Sequence, residues 1–427
     1  MSGARRARRV LVLVFALVIG SSFAVATAQE AMTVSMAVTS GPNANAAHAI
    51  IPLFEKQNPN IKVNIIEIPW NEIDTRQLLD FTSGKGSYDL VMQSTSFFGA
   101  YAAAGYLEPL DAYISNSSLI DASAFNINDF NKSVLDLVGT YQGKLYALPY
   151  MYFPHVMVYR KDLLDQIGAS APKNFDEYLA VVKKLNALPN MHGTSVIGLR
   201  GGAGADVYAW APFLFGFGGS FTDSDGKPTF NSQAAVKALE YYKELFAYSP
   251  SEAINYGTDQ VTSAFGAGNL GIMLMDADNS GELLDPSFTN LKRDQLGYAP
   301  IPGGPSGGSG RPLLGAWSIG ISKFSQHKDA AFKVMTFVLG NDPAVTKQFV
   351  SQGIDPRVSV LKQYADQLPN YRVVAQELDH VGPIPAVKNW LQMEDALATA
   401  ISNALLGVQT PQEALDQAQR IAVAASQ

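Results

Sequence analysis

The residues Asp276-Ala-Asp278-Asn-Ser280-Gly281 place side-chain oxygens at positions one, three and five and a glycine at six, which is how a calcium loop opens. The twelfth position is Ser287, where such a loop needs a bidentate glutamate, so no cation is assigned to it. The five histidines, His48, His155, His192, His327 and His380, form no pair at metal-ligand spacing and read as structural or solvated. The phosphate-binding G-x-x-x-x-G-K-[ST] and the zinc-binding H-E-x-x-H are absent, and the string Gly304-Pro-Ser-Gly-Gly308, though of the form G-x-S-x-G, falls in a glycine- and proline-rich loop rather than at the strand-to-helix turn of a nucleophile elbow. With no cysteine, the chain has no disulfide, thiolate zinc site, cysteine nucleophile or lipid-bearing N-terminal cysteine. Asp223-Ser-Asp225-Gly226 reads as a turn. What remains is carboxylates set among aromatics, as in Asp206-Val-Tyr208-Ala-Trp210, a combination suited to a hydroxyl-rich ligand.

The elements that must position such groups are those of a large exported α/β protein. At 427 residues, 47% hydrophobic and 16% charged, the chain exceeds one ordinary core, and two domains are expected. Residues 1–28 read as a secretory signal peptide: Arg5, Arg6, Arg8 and Arg9, an apolar run from Val10 to Ile19, and a cleavage site after Ala28. That run is about half of the ~20 residues a spanning helix needs. Two Arg-Arg pairs leave the twin-arginine route open beside the general one. Without the four signal arginines, 27 basic residues face 38 acidic ones, a net charge of −11 that disfavours nucleic acid and anionic membranes as partners. A freely diffusing periplasmic monomer is expected.

Val34, Met36 and Val38 alternate as in a strand, a helix is expected from about Ala46 to Gln57, and Ile61 to Ile68 forms the next strand. Pro52 should kink that helix or mark its start. Tyr88 to Met92 supplies another short strand. Helical stripes follow at Val236, Leu239, Tyr242 and Leu245, and at Ala331, Val334, Met335 and Val338. The glycine-rich 300–310 stretch is a loop ahead of an apolar strand from Leu313 to Ile321. Strands alternating with helices imply a doubly wound α/β domain, whose ligands bind beyond the carboxyl ends of its strands.

A series of fragments then carries a resemblance. They are Leu53-Phe-Glu-Lys-Gln-Asn-Pro-Asn-Ile-Lys-Val63, Tyr88-Asp-Leu-Val-Met92, Ala104-Gly-Tyr-Leu-Glu-Pro-Leu-Asp111 and Gly143-Lys-Leu-Tyr-Ala-Leu-Pro-Tyr150. Val158-Tyr-Arg-Lys-Asp-Leu-Leu164, Gly218-Gly-Ser-Phe221, Phe265-Gly-Ala-Gly-Asn269 and Leu314-Gly-Ala-Trp-Ser-Ile-Gly-Ile321 follow, then Lys328-Asp-Ala-Ala331 and Thr410-Pro-Gln-Glu-Ala-Leu415. Each is weak alone, but in this order and spacing the chain resembles family-1 extracellular solute-binding proteins, the maltodextrin- and polyol-binding receptors of ABC importers. The resemblance implies a two-lobed α/β periplasmic-binding-protein fold, each lobe a mostly parallel sheet flanked by helices, with the ligand in the cleft between. Lobe 1 would combine 29–146 with 322–363, and lobe 2 would combine 151–317 with 366–427. The chain would cross near 146–150, 317–322 and 362–366. The function implied is capture of a sugar or polyol by hinge closure and delivery to a membrane permease, with no catalysis, cofactor or metal.

By the same resemblance the cleft should be lined by Gln93, Ser94 and Thr95 in the turn after the third strand, and by Tyr150 and Tyr152 beyond the first crossing. Asp206, Tyr208 and Trp210 should follow, with Asp276 and Asp278, Trp317 as the stacking plate, and Arg357. Trp70, Asn43 and Arg200 are weaker candidates. The aspartates in place of aromatics point to a monosaccharide or linear polyol more than to a maltodextrin. Two other readings remain at this level. An amino-acid receptor would pair Arg200 or Arg357 with Asp206, and a secreted glycoside hydrolase would use two carboxylates such as Asp206 and Asp276 as acid and base.

Overall fold

The structure, a computed structural model, describes residues 32–200, 205–305, 307, 310–385, 387 and 389–426; the expected export segment and its cleavage point lie outside the described residues. The elements that frame the site run, in chain order, β1 (Met32–Thr39), α1 (Pro42–Gln57), β2 (Ile61–Ile68), α2 (Ile73–Ser83), β3 (Leu90–Ser94) and α3 (Thr95–Ala103). Then come β4 (Ala147–Tyr152), β5 (His155–Arg160), α4 (Ala205–Gly216), α5 (Gln233–Phe246) and α6 (Thr258–Gly266). The last are β6 (Ile272–Asp276), α7 (Ala277–Glu282), β7 (Leu296–Ala299), β8 (Ala316–Ile321), α8 (Lys328–Val338), α9 (Trp390–Leu405) and α10 (Pro411–Ala425). Strands and helices alternate through most of this order, as an α/β protein requires.

Two sheets divide the strands. The first has the order β2-β1-β3-β8-β4, and the second β6-β5-β7. Strand β1 pairs in parallel with β2 and with β3, as the βαβ pattern requires. Late-arriving β8 inserts antiparallel between β3 and β4. In the second sheet β5 runs antiparallel to both β6 and β7, so parallel pairing among these strands is confined to the β1–β3 half of the first sheet. The reason is connectivity: β4 leads into β5 through only Phe153 and Pro154, and β6 and β7 return from distant helices to flank β5 from either side.

Helix α1 starts at Pro42, earlier than its apolar stripe announces, because proline is well tolerated in a first turn; Pro52 lies inside it without ending it. Amphipathic helices elsewhere bury one stripe each, as α5 does with Ala238, Leu239, Tyr242 and Leu245. Buried residues gather into two main cores. One holds Val34, Met36, Val38, Ile50, Phe54, Met92, Leu148, Trp317, Ile319, Phe332, Met335 and Phe349. The other holds Val156, Val158, Trp210, Phe213, Leu239, Met273, Leu314, Ile354, Trp390 and Leu397. Along the chain, the last member of the first core is Phe349, and Ile354, Val360 and Leu361 already pack in the second. Helical Val360 and Leu361 turn their apolar side to the second core.

Candidate functional site

The two cores face each other across a cavity of about 600 Å³. One wall consists of strand ends. Thr39, Ser40, Gly41, Pro42 and Asn43 connect β1 to α1, Pro69, Trp70 and Asn71 follow β2, Ser94 closes β3, and Trp317 stands on β8. Ligands of doubly wound sheets bind at these carboxyl ends because helix N-termini and flexible turns converge there. Gly41 has φ +84°, a conformation costly for other residues, and caps α1 without a side chain; Pro42 has no N–H, so the Asn43 amide is the first that the helix can offer a guest. Asn43, only 5% exposed, donates to Thr39 Oγ1 at 2.6 Å while its own Oδ1 has no partner. Beneath it, Tyr150 donates to the Asn43 carbonyl at 3.1 Å.

The opposite wall is acidic. Asp276 ends β6, Asp278, Asn279 and Glu282 belong to α7, and Thr258, Asp259 and Ser263 to α6, with Ile197, Ala205, Tyr208 and Phe288 alongside. Asp276 accepts from Thr258 Oγ1 at 3.2 Å and lies 3.6 Å from His155 Nε2, its register partner on β5. Burial pushes the Asp276, Asp278 and Glu282 carboxyls above their ordinary values; His155 opposes the shift at Asp276, and Asp276 adds to it at Asp278. Burial likewise lowers the His155 imidazole, which is therefore neutral at pH 7. Four carboxylates line the cavity, and no lysine or arginine appears among its described lining residues.

Phe153, between β4 and β5, closes the floor beside Trp317, with ring centroids 6.3 Å apart. A Cβ at Gly315 would sit 2.0 Å from the Phe153 ring, so only glycine there leaves room for this pair. Behind the floor a buried node joins the walls. Ser96 of α3 lies 3.1 Å from the Tyr208 hydroxyl and donates to Glu394 of α9 at 3.0 Å, while Trp390 Nε1 donates to Ser96 at 3.4 Å. Burial raises Glu394 to about 8 and Asp74, which accepts from Ser94 Oγ at 2.8 Å, to about 7.

Of the residues expected to line the cleft, Ser94, Tyr208, Asp276, Asp278 and Trp317 do so, together with the weaker candidates Asn43 and Trp70. The others lie elsewhere. The Gln93 amide donates to Ser318 inside the sheet at 3.1 Å, and Thr95 Oγ1 bonds the Ala316 carbonyl at 3.0 Å. Tyr150 supports the wall from behind, and Tyr152 donates to the Pro356 carbonyl at 2.6 Å. Asp206, at the start of α4, turns inward with one carboxyl oxygen on the Val207 amide, and burial drives it toward its neutral form. Trp210, one helical turn on, packs against Phe221 in the second core. Arg357 lies between the Phe125 and Phe130 rings, at 4.9 and 4.7 Å, and donates to the Leu339 carbonyl at 2.8 Å, so it braces the first core. Arg200 is exposed, 3.4 Å from Asp395. Phe153 stands where the resemblance expects an aromatic beside Tyr150 and Tyr152, whereas His155, Asn71, Asp259 and Glu282 were not anticipated; the carboxyl-end rule would have found Thr39, Ser40 and Asn71, and His155 needed the β5/β6 register.

Among the described residues no cluster of three metal-binding side chains occurs, and no helix is long and apolar enough to cross a membrane. A model of the bacterial extracellular solute-binding protein family matches residues 39–345. The chain is 27% identical over 420 residues to a probable amino-acid ABC transporter periplasmic-binding protein of Sinorhizobium fredii, covering 94% of this chain and 93% of that one. It is 26% identical over 309 residues to the mannitol-binding protein of Pseudomonas aeruginosa, covering 71% and 68%. In structure it is similar to an ABC transporter solute-binding protein of Agrobacterium radiobacter in complex with ribitol, with TM-score 0.82, 26% identity and coverage of 93% and 99%. Maltose-bound MalE3 of T. maritima gives TM-score 0.82 and 25% identity over 92% and 99% of the two chains.

Proposed function

We propose, from the premise that this chain belongs to the bacterial extracellular solute-binding protein family, that it is the periplasmic receptor of an ABC importer for a sugar or polyol, acting without catalysis. The observation that carries the reading is one cavity with hydrogen-bonding groups on both walls, drawn from two separate cores. A guest held by Thr39, Asn43 and Ser94 on one side and Asp276 and Asp278 on the other stabilises only the closed arrangement, and a permease can read that arrangement as occupancy. Lobe 1 is then built on the first core, from the chain up to about 146, apart from Val134 and Val138, which pack in the second core, and from about 322 to 349; lobe 2 is built on the second core. The passages near 146–150, 317–322 and 349–354 are its hinges. The ribitol, mannitol and maltose named for related proteins support the ligand class.

Neutral hydroxyls fit the walls because serine, threonine, asparagine and aspartate side chains satisfy them, while Trp317 offers a face to C–H groups. An amino-acid guest would find only the α1 amides, and no lysine or arginine among the described lining residues, for its carboxylate. A hydrolase reading loses Asp206, which is sealed in the core.

The test is a thermal-shift and small-angle scattering series with pentitols, hexitols, hexoses and maltose. A cognate guest raises the melting temperature by mass action and shrinks the radius of gyration as the lobes close. Stabilisation by amino acids alone, or turnover of any sugar, overturns the proposal.

A further inference from the structure

The cavity's charge is one-sided. Asp259, Asp276, Asp278 and Glu282 stand on the second-core wall with no lysine or arginine among the described lining residues. In the sequence the residues just before Ala205 are Gly-Gly-Ala-Gly, none of them charged. The nearest imidazole, His155, is kept neutral by burial. A neutral polyol would leave these carboxylates crowded, because hydroxyls can accept or donate but cannot cancel charge, and like charges in a shared site disfavour ionisation. Across the cavity the polarity reverses. The open N-terminus of α1 at Gly41–Asn43 presents amides and a partial positive charge, and the buried Asn43 Oδ1 is an acceptor without a partner. The two walls therefore ask for different ends of one guest, hydroxyl oxygens toward α1 and positively charged donors toward the acidic wall.

Resting on the proposed function above, we infer that the guest is a polyhydroxylated solute bearing an ammonium group, an amino sugar or amino polyol, with its nitrogen held by Asp276 and Asp278. Asn43 Oδ1 accepts a hydroxyl proton from the other end, and Trp317 covers the carbon face. An ammonium favours the ionised form of carboxyls that burial and their mutual proximity otherwise drive toward protonation, and its charge-assisted hydrogen bonds to them make nitrogen in place of one hydroxyl the feature that the site reads.

Two matched pairs test this by titration calorimetry at pH 7 on the full mature chain: D-glucosamine against D-glucose, and 1-amino-1-deoxy-D-sorbitol against D-sorbitol. In at least one pair the amino member binds at least tenfold more tightly. Asp276→Asn with Asp278→Asn brings that ratio toward one, while Asn43→Ala weakens both members alike. Should the buried double variant fail to fold, Asp259→Asn with Glu282→Gln, nearer the rim, lowers the ratio by a smaller factor. Equal or tighter binding of the neutral members, or an amino preference that survives all four substitutions, overturns the inference while leaving a carbohydrate receptor standing. No binding by either pair, beside a thermal shift with other classes of solute only, overturns both.

Discussion

Two large side chains separate recognition from scaffolding. Trp317 lines the cavity at 9% exposure, and Arg357 is buried between two phenylalanines and a backbone carbonyl. Trp317→Ala is expected to weaken the cognate guest roughly tenfold or more, since cavity-lining tryptophans are typical hot spots. Its effect on the urea midpoint should be the smaller one. Arg357→Ala reverses the pattern: stability falls by about 3 kcal/mol as the guanidinium leaves Asp129 and both rings, with the dissociation constant unchanged. Calorimetry beside urea unfolding distinguishes them, and an affinity loss in Arg357→Ala without unfolding would return it to the site. The sequence marked both residues, Trp317 as the stacking plate and Arg357 on a loop that could face the cleft, because an arginine after Asp355-Pro356 looks the same whether its loop faces the cleft or the core. Ser94, Asp276 and Asp278 were legible because they follow apolar strands and so had to stand at sheet ends. Asp206 and Trp210 were misjudged because a helix starting at Ala205 turns them inward, and no local pattern states which face of an almost wholly apolar helix meets solvent.

Among elements, α3 and α9 meet at Ser96, Glu394 and Trp390. Glu394 ordinarily titrates near 4.5 and here near 8, so the folded state keeps its proton where the unfolded chain gives it up. A raised carboxylate is harmless below 4.5 and costs stability progressively as pH climbs to about 8. Glu394→Gln should remove that cost: the variant's melting temperature should fall less steeply than the wild type's between pH 5 and 8, a difference of a few kcal/mol at the upper end. Parallel pH slopes for the two proteins would show that the carboxyl is ionised in the fold. The first-sheet elements were readable from period-two alternation and the βαβ rhythm. The second sheet was less so, since the pairing of β5 with β6 and β7 joins residues more than a hundred positions apart and rests on no motif.

For the whole molecule the same linkage sets the pH of greatest stability. Asp74 and Asp355 are raised to about 7, and Glu377 and Glu394 to about 8, all by burial, so their contributions are intact in acid and fade together toward pH 8. Glu55, Asp121, Asp162, Asp285 and Glu413 are lowered and contribute above their ordinary values of 3.8 to 4.5, fading only below them. Asp206, Asp276, Asp278 and Glu282 are raised in the same direction, and neutral, buried His155 pulls the other way below 6.5, a single group against eight. The melting temperature of the guest-free protein should therefore peak near pH 5 and decline toward 8, as calorimetric scans would read directly; a maximum above pH 7 would contradict these buried carboxyls.

The cavity mouth is bordered by exposed Asn71 on one side and exposed Ser263 on the other, in a chain that has no cysteine. Thiols introduced by Asn71→Cys and Ser263→Cys would be the sole attachment points for a donor and acceptor dye. The gap between them would then be an optical gauge of cargo, convertible to concentration in a cuvette without purifying a transporter.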